Sequence, residues 1–338
     1  MKEKLEISFG DNLLVPKYKQ IIGAALQKIQ TGDLKKGDRI PSLNSLCKQY
    51  GLSQDTVLMA YNELKSKGII SSQVGKGYFI QNENTGLKHR VMLLFDVFTA
   101  YKEEVYNAFK NTLGENGSEQ IFFYHNNIKI FQSIIDSSIG KFTEYVIMPF
   151  EHSDVNSVIA KLPPNKVFIL DLGRKQYKNI YSFVCQDFER DIYRILKKNS
   201  DLVGKYQRMV LVLRSQKAHF RDIKVGFRDF CKQLPVNAEI VSDIKSFEIK
   251  PGDGFIVVDD VDLEYLVRFS IDHQLKIGSD IGIISYNETP LKGIVGSSGI
   301  TTISTDFEQM GKSMAEMIIN NQKLKLDNPF LIYNRNSF

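Results

Sequence analysis

The sequence has no tryptophan and only three cysteines among its 338 residues. Cys47, Cys185 and Cys231 are widely spaced and odd in number, so neither a disulfide framework nor a cysteine zinc site is expected. The chain also lacks an apolar run long enough to span a bilayer, and its first residues lack the apolar core of a signal peptide. These absences predict a cytoplasmic protein whose cysteines are buried free thiols.

Several motifs of enzyme active sites are missing as well. The chain has no Gly-x-Gly-x-x-Gly after a strand, no phosphate-binding Gly-Lys-Ser/Thr loop, no His-Glu-x-x-His pair and no Gly-x-Ser-x-Gly elbow. Gly293, Gly296 and Gly299 are three residues apart, but they lie in a Ser/Gly segment typical of a loop. The histidines after residue 90 have no companion at metal-ligand spacing. We therefore predict no catalytic residue, no metal site and no cofactor.

Length and charge indicate at least two units. A chain of this size exceeds what one hydrophobic core usually serves. Residues 1–90 contain 14 Lys/Arg and 8 Asp/Glu, a net charge of +6, whereas residues 91–338 contain 30 and 31, a net charge of −1. A small basic unit beside a large near-neutral unit fits a polyanion-binding module joined to a module with another role.

An amphipathic helix is predicted from Ser53 to Gly68. Apolar residues recur between Val57 and Leu64 at the spacing of one helix face. Ser53 can cap the first turn, and Gly68 can adopt the left-handed conformation after the last turn. The opposite face is mostly polar, and a short helix of this kind fits the major groove of DNA. We interpret it as a recognition helix.

Two further helices are predicted before the recognition helix. Residues 16–31 begin with a proline suited to a first helical turn and continue with apolar residues at helical spacing. After a segment of turn-forming residues, Leu43 to Tyr50 form a second short helix that Ser42 can cap, and Gly51 makes the next turn. The order helix, turn and capped helix over residues 42–67 is a helix-turn-helix pattern.

A β-hairpin is predicted immediately after the recognition helix. Polarity alternates over residues 69–74, the chain tightens at Gly75-Lys76-Gly77, and an apolar run returns over residues 78–80. A hairpin in this place makes a winged helix, whose Lys76 can approach phosphates or the minor groove. The two glycines can equally serve the turn alone.

Residues 16–80 resemble the winged helix-turn-helix domain of the GntR family of bacterial transcription regulators. The resemblance rests on segments in a fixed order, namely Pro16-Lys17-Tyr18, Gly37-Asp38-Arg39-Ile40-Pro41-Ser42, Leu52-Ser53, Thr56-Val57, Ala60-Tyr61-Asn62-Glu63-Leu64, Gly68-Ile69-Ile70 and Gly75-Lys76-Gly77-Tyr78-Phe79-Ile80. By position, the resemblance implies that DNA is contacted by Arg39, Ser42, Ser53, Gln54, Thr56 and Gly77.

This domain departs from the family at three positions. Asn44, Gln54 and Leu58 occupy places where the family commonly has arginine. Glutamine can pair with adenine, and Leu58 can either meet a thymine methyl group or pack within the protein. Because the recognition helix has fewer charges, more of the phosphate contacts are expected from Arg39, Lys65 and Lys76.

Residues 81–90 have little apolar content and are interpreted as a linker between a domain at 1–80 and a domain at 91–338. In the larger domain, apolar runs alternate with helix-period segments, which predicts parallel sheets covered on both faces. Two lobes are expected, because roughly 248 residues (338 − 90) is generous for one sheet. Strands are predicted at 91–98, 120–124, 145–148, 167–170, 209–213, 254–258 and 281–284, and helices at 103–113, 128–139, 155–162, 188–197, 220–234, 263–273 and 307–319.

The layout of residues 90–334 resembles the type I periplasmic-binding-protein fold that forms the effector domain of LacI-type repressors. The resemblance implies a two-lobed domain with a ligand-reading arginine segment. The arginine that the family places three residues before Gly226 is Ile223 here, so Arg221 substitutes for it or the ligand differs. The matched segments are Arg221 with Gly226-Phe227, residues 256–260, residues 281–287 and residues 301–304 before a helix that begins at Phe307.

Ligands of open parallel sheets bind beyond the carboxyl ends of the strands, and two facing lobes make a cleft there. Carboxylates, amides and arginines among aromatic walls suit a monosaccharide or a sugar phosphate as the effector. Asp96, Asp187 and Asp260 can alternatively cap helices. The candidate effector contacts are Asp96, Thr99, Tyr101, Glu151, His152, Asp171, Asp187, Arg214, Arg221, Asp260 and Asn287.

These patterns predict a ligand-responsive transcription regulator of a catabolic operon. It is expected to bind double-stranded operator DNA as a homodimer, with no membrane partner. The family resemblance favours repression, and activation stays open. One alternative is an enzyme fused to a DNA-binding domain, as in GntR relatives with an aminotransferase domain, but the second domain is short for that role. Another is a sugar-binding protein of the cell envelope, which the missing signal peptide disfavours.

Overall fold

The structure is a computed structural model that describes residues 5–7, 15–83, 89–214, 218–233, 236–295 and 299–338. The elements of its first domain are α1 (Lys17–Gln30), β1 (Arg39–Ile40), α2 (Leu43–Tyr50), α3 (Gln54–Ser66), β2 (Ile70–Gln73) and β3 (Gly77–Ile80). The strands form an antiparallel sheet in the order β1-β3-β2. This is the predicted winged helix-turn-helix.

Helix α3 is held in place by the apolar face that its sequence predicted. Val57, Ala60 and Leu64 are fully buried. The hydroxyl of Tyr61 donates a 2.7 Å hydrogen bond to the carbonyl of Pro41, and its ring lies edge-on to Tyr78 at 4.8 Å between centroids. The helix is therefore attached both to the start of α2 and to the wing.

The second domain contains two six-stranded sheets. In chain order its elements are β4 (His89–Phe95), α4 (Ala100–Leu113), β5 (Gly117–Phe123), α5 (Ile128–Ser138), β6 (Glu144–Ile147), α6 (Val155–Ile159), β7 (Val167–Asp171), α7 (Arg174–Tyr177), β8 (Ser182–Cys185), α8 (Phe188–Lys198), α9 (Ser200–Val203), β9 (Arg208–Val212), α10 (Ala218–Cys231), β10 (Asn237–Val241), β11 (Asp253–Val257), α11 (Asp260–Asp272), β12 (Gly282–Tyr286), β13 (Thr301–Thr305), α12 (Phe307–Ile319), β14 (Lys325–Asp327) and β15 (Phe330–Tyr333).

The two sheets define lobe 1 and lobe 2. The sheet of lobe 1 is entirely parallel, in the order β14-β8-β7-β6-β4-β5. The sheet of lobe 2 has the order β10-β9-β11-β12-β13-β15 and is parallel except for the β13–β15 pair. The chain passes between the lobes after β8, after β13 and between β14 and β15. We call these passages the first, second and third crossovers.

Helix α12 returns the chain to lobe 1 and packs closely on α4. A Cβ atom at Gly311 would lie 2.3 Å from the carbonyl oxygen of Val105. Only glycine therefore allows the two helices to approach this far. After α12, the chain adds strand β14 to the sheet of lobe 1. It then passes through the third crossover into lobe 2.

The seven predicted strands are all present, with boundaries shifted by a few residues. The linker was predicted to extend to residue 90, but strand β4 already begins at His89. The ring of His89 lies 3.1 Å from Glu144, and the amide of Arg90 donates a 2.6 Å hydrogen bond to Thr143. Three predictions fall in part outside the described residues, at 84–88 of the linker, at Leu234 and at Gly296.

In the second domain, strands β8, β10, β13, β14 and β15 were not predicted. Each has three to five residues, and β10 and β14 have largely exposed side chains. The cysteines are free thiols as predicted, although Cys47 is only half-buried. No helix among the described ranges is long and apolar enough to cross a membrane.

Candidate functional site

The first turn of α3 is exposed at the surface of the winged helix-turn-helix. Ser53 and Gln54 are exposed, whereas Thr56 is half-buried. The Ser53 hydroxyl accepts a 3.3 Å hydrogen bond from the Thr56 amide and lies 2.7 Å from the Thr56 hydroxyl. The Ser53 hydroxyl thus caps the helix, and the exposed side-chain amide of Gln54 in the same turn can reach an outside partner.

Leu58 lies one turn further along α3, and its side chain is 38% exposed. The adjacent Met59 is more exposed still, at 52%. Packing of Leu58 in the protein core was one of two alternatives in the sequence, and this exposure argues against it. The outer face of α3 therefore combines an amide with two apolar side chains.

The wing brings two of the predicted DNA contacts together. Gly77 has φ +108°, and a Cβ atom there would lie 3.2 Å from the Nε atom of Arg39. The glycine thus lets the arginine lie against the base of the wing. Lys76 is exposed at the wing tip, Ser42 caps α2 through the amide of Ser45 at 3.1 Å, and Lys65 is half-buried in the last turn of α3.

The carboxyl ends of β4 and β7 carry a buried polar group in lobe 1. Asp96 is ion-paired to the buried Lys102, and the carboxylate of Asp171 accepts a 2.5 Å hydrogen bond from the side-chain amide of Gln186. Burial raises the pKa of Asp171, while the charge of Lys102 opposes that rise. Two carboxyls, one cation and one amide therefore meet at the strand ends.

The three aspartates with an alternative capping role are paired with cations instead. Asp187 precedes α8 but its side chain makes no capping hydrogen bond, and it lies 3.2 Å from Arg174. Asp260 lies 2.9 Å from the buried Lys292. Together with the pair at Asp96, these contacts favour charge pairing over helix capping at all three positions.

Three ion pairs join lobe 1 to lobe 2 directly. Arg221 of α10 donates to Glu151 at 2.7 Å. Lys175 of α7 donates to Glu189 at 2.7 Å and to Asp222 at 2.8 Å. All five side chains are substantially exposed, so each pair is worth about 1 kcal/mol or less. Such weak pairs suit lobes that open and close.

The strand ends of lobe 2 hold Arg214 and Asn287 in structural contacts. Arg214 donates a 2.7 Å hydrogen bond to the fully buried Asp262. Asn287 has φ +63°, and its carbonyl accepts a 2.9 Å hydrogen bond from Lys292. The side chain of Arg214 and the backbone carbonyl of Asn287 therefore have partners within lobe 2, and these contacts fix the shape of the strand ends.

The remaining three candidates lie in lobe 1. Thr99 precedes α4, and its hydroxyl has no hydrogen-bond partner among the described residues. Tyr101 stacks on Phe307 with ring centroids 4.9 Å apart. His152 is exposed, and its ring lies 6.0 Å from that of Phe150.

Sequence reasoning missed several residues at these strand ends. Gln186 follows β8, which was not predicted, so no signal marked it as a strand end. Phe98 is half-exposed and lies 5.6 Å from Phe123, and Phe150 stacks on Tyr124 at 4.9 Å. Phe98 ends one predicted strand and Phe150 follows another, so both could have been included as aromatic walls.

Two family profiles match separate parts of the chain. The profile of the gntR family of bacterial regulatory proteins matches residues 17–80. The profile of periplasmic-binding-protein-like domains matches residues 204–323. The chain joins a GntR-family domain to a periplasmic-binding-protein-like domain. Both predicted resemblances are thereby confirmed.

Curated relatives resemble this chain over short stretches. The Escherichia coli mannosyl-D-glycerate transport/metabolism system repressor MngR is 28% identical over 102 residues, 30% of this chain and 39% of its own length. The probable fructoselysine utilization operon transcriptional repressor of Escherichia coli is 33% identical over 66 residues, which make up 20% of this chain and 27% of that repressor. The uncharacterized regulator YdfD of Bacillus subtilis is 37% identical over 68 residues, which make up 20% of this chain and 14% of YdfD. The chain thus spans well under half of each relative.

Solved structures resemble the periplasmic-binding-protein-like domain. A dimeric Lac repressor with a C-terminal deletion has a TM-score of 0.61 at 15% identity, covering 73% of this chain and 98% of its own. A transcription regulator like protein from Staphylococcus haemolyticus has a TM-score of 0.59 at 16% identity, covering 75% and 99%. GanP, a glucose-galactose binding protein from Geobacillus stearothermophilus, has a TM-score of 0.56 at 13% identity, covering 73% of this chain and 97% of its own. At these identities the likeness shows the fold.

A cluster of charges surrounds the first and third crossovers of the periplasmic-binding-protein-like domain. Arg174 contacts Asp187 at 3.2 Å and Asp327 through two nitrogens, one of them at 2.9 Å. Burial raises the pKa of the neighbouring Asp191 to about 7, with further upward contributions from the charges of Asp187 and Asp327. The amide of Asp187 and the charge of Arg174 act in the opposite direction.

The Asp191→Asn variant is expected to gain stability over the parent as pH rises. The unfolded carboxyl ionises near its usual pKa of about 3.9, whereas the folded one stays protonated up to about 7. The parent therefore loses stability across this window, and the variant, which cannot ionise, avoids the loss. Urea unfolding should show near-equal free energies at pH 4 and a variant advantage on the order of 2–4 kcal/mol at pH 8. Asp201→Asn, at an exposed carboxylate, is the control, and a constant difference across pH would contradict the account.

Proposed function

We propose that the protein is a ligand-responsive repressor that binds operator DNA as a homodimer and controls a catabolic operon. The observations that carry the proposal are the exposure of Gln54 and the contact of the exposed Arg39 with the wing, both on a domain that matches the gntR-family profile. Curated relatives named as repressors of mannosyl-D-glycerate and fructoselysine systems support a sugar-related role. In this proposal the effector is a monosaccharide or a sugar phosphate.

The DNA contacts follow from the chemistry of the exposed side chains. The Gln54 amide can donate to and accept from one adenine in the major groove, and Leu58 can meet a thymine methyl group. Arg39 and Lys76 lie at the wing and provide positive charge for phosphates. One such domain buries too little surface for tight binding, so two recognition helices are expected to read half-sites about one helical turn apart, or a multiple of it.

The Gly77→Ala variant is expected to bind promoter DNA from the neighbouring genes about tenfold more weakly than the parent. The added methyl group displaces Arg39, and one arginine contact is worth ~1–3 kcal/mol. Gly75→Ala is the matched control, because Gly75 also has a positive φ but no atom within 4 Å of its Cβ position. Fluorescence anisotropy at one fixed salt concentration measures both affinities. An equal loss in the two variants would assign the effect to wing strain and remove Arg39 from the contact.

The effector is proposed to bind between the lobes, at the strand ends that carry Asp96 and Asp171. Hydroxyl groups both donate and accept hydrogen bonds, so a sugar can use carboxylates and amides together. The half-exposed ring of Phe98 and the ring of Phe150 offer apolar faces beside these groups. Ligand that binds the closed lobes better than the open ones would shift the domain toward closure, and the linker would carry that change to the DNA-binding domains.

A monosaccharide that raises the thermal midpoint of the parent should raise it less in the Phe98→Ala variant. A ligand that binds only the folded state stabilises it, and loss of the stacking face weakens that binding. Ile180→Ala is the control, because Ile180 is similarly exposed but lies outside the proposed contacts. If a panel of monosaccharides and sugar phosphates leaves every midpoint unchanged, the sugar assignment fails.

The homodimer is proposed to form through an apolar surface on lobe 2. The ion pair between Asp260 and Lys292 joins the start of α11 to the turn after β12, at 2.9 Å. Four large apolar side chains on α11 and beside this turn are unusually exposed, and exposed apolar side chains of this size can form an interaction surface. They are Val261 and Ile271 on α11 and Leu291 and Ile294 beside the turn.

The Ile294→Asp variant is expected to be monomeric at concentrations at which the parent is a dimer. A carboxylate placed in an apolar interface must be desolvated without a partner, which costs several kcal/mol. Sedimentation velocity measures the change. Ile180→Asp introduces the same charge at another exposed isoleucine, on lobe 1, and should leave the mass unchanged. A dimeric Ile294→Asp protein would exclude this surface as the interface.

A further inference from the structure

A cavity of about 310 Å³ lies along α8, away from the proposed effector contacts. One wall consists of α8 side chains, and the other consists of the third crossover and the start of β15. Asp187 alone is shared with the predicted effector residues. The size falls at the lower end of the range for small-molecule sites. Among its lining residues are Asp191, Arg194, Lys198, Asn328 and Phe330.

Positive charge in this cavity is only partly compensated. Arg190, Arg194 and Lys198 follow one another at intervals of four residues, so they form one stripe on α8. Arg190 lies 3.8 Å from Asp327, but Arg194 and Lys198 have no ion pair with any described residue. Asp327 itself is already held by Arg174 through two hydrogen bonds. Two cations one helical turn apart are thus available to an anion.

The floor of the cavity offers hydrogen-bonding groups. Asn328 is nearly fully buried, its amide nitrogen donates to Thr305 at 2.9 Å, and its amide oxygen has no partner within the described part of the chain. Asp191 accepts a 2.9 Å hydrogen bond from the amide of Asp187. Burial raises the pKa of Asp191 to about 7, which limits the negative charge it adds near neutral pH. The ionisable groups that interact with Asp191 are Asp187, Asp327, Arg174 and Tyr286.

We propose that this cavity binds the phosphomonoester of a small polyhydroxylated molecule. The phosphate would lie on Arg194 and Lys198, because a dianion uses two cations and the guanidinium matches its oxygens. The hydroxyl groups would face Asp191 and Asn328. A monocarboxylate leaves one of the two cations unused, so it fits less well.

The position of the cavity gives such binding a consequence for the lobes. Asp187 belongs to the first crossover and Asn328 to the third, so the cavity is lined by two of the three segments that connect lobe 1 with lobe 2. A ligand that contacts these residues differently in open and closed lobes shifts the balance between them. This consequence for DNA binding rests on the proposed function, whereas the binding itself does not.

Isothermal titration of the full-length chain tests the site directly. Glycerol 3-phosphate and glucose 6-phosphate are the probes, with glycerol, glucose and inorganic phosphate as comparisons. The parent should bind at least one phosphomonoester, and more tightly than inorganic phosphate. The Arg194→Gln/Lys198→Gln variant should raise its dissociation constant at least ~tenfold.

The matched control is Lys224→Gln/Arg228→Gln, which removes one lysine and one arginine at the same spacing from the neighbouring helix α10. It should bind like the parent, and circular dichroism verifies that both variants are folded. Absence of binding by the parent, equal losses in both variants, or equal affinity for inorganic phosphate would each overturn the proposal. Since the titration contains no DNA, a negative result leaves the proposed regulatory function intact, and loss of promoter binding would leave this site intact.

Discussion

The guanidinium of Arg174 is the contact that ties the first crossover to the strand leading into the third. It belongs to lobe 1 and holds Asp187 of the first crossover and Asp327 just before the third. An arginine can satisfy two carboxylates at once because its donors point in several directions. Without it, two partly buried carboxylates would repel each other beside Asp191. The two carboxylates that this cation holds also line the cavity along α8.

The winged helix-turn-helix could be predicted almost completely from sequence, because its signals are local. The apolar spacing from Val57 to Leu64, the caps at Ser42 and Ser53 and the glycines at the wing all lie within a few residues of what they determine. The alternation of strands and helices in the second domain is local too. Strands such as β8 and β15 are short and acquire their identity only from their neighbours in the sheet.

The effector cleft was less predictable, for a physical reason. Strand ends could be located, but their partners come from distant parts of the chain, as when Arg174 meets Asp327 or Arg214 meets Asp262. Sequence alone therefore could not separate a ligand contact from an internal ion pair. Lys102 and Gln186 were missed because one is a helix residue and the other follows an unpredicted strand.

We propose two modules, a winged helix-turn-helix that contacts DNA through few charges and many neutral groups, and a pair of weakly linked lobes that responds to a ligand. The central claim is that the winged helix-turn-helix binds DNA. The most direct test is the affinity of the full-length chain for promoter DNA measured across a salt series. The account predicts a linear fall of the logarithm of the binding constant with the logarithm of salt, with a slope reduced by about 1 in a Lys76→Gln variant. Failure to bind promoter DNA even at low salt would contradict it.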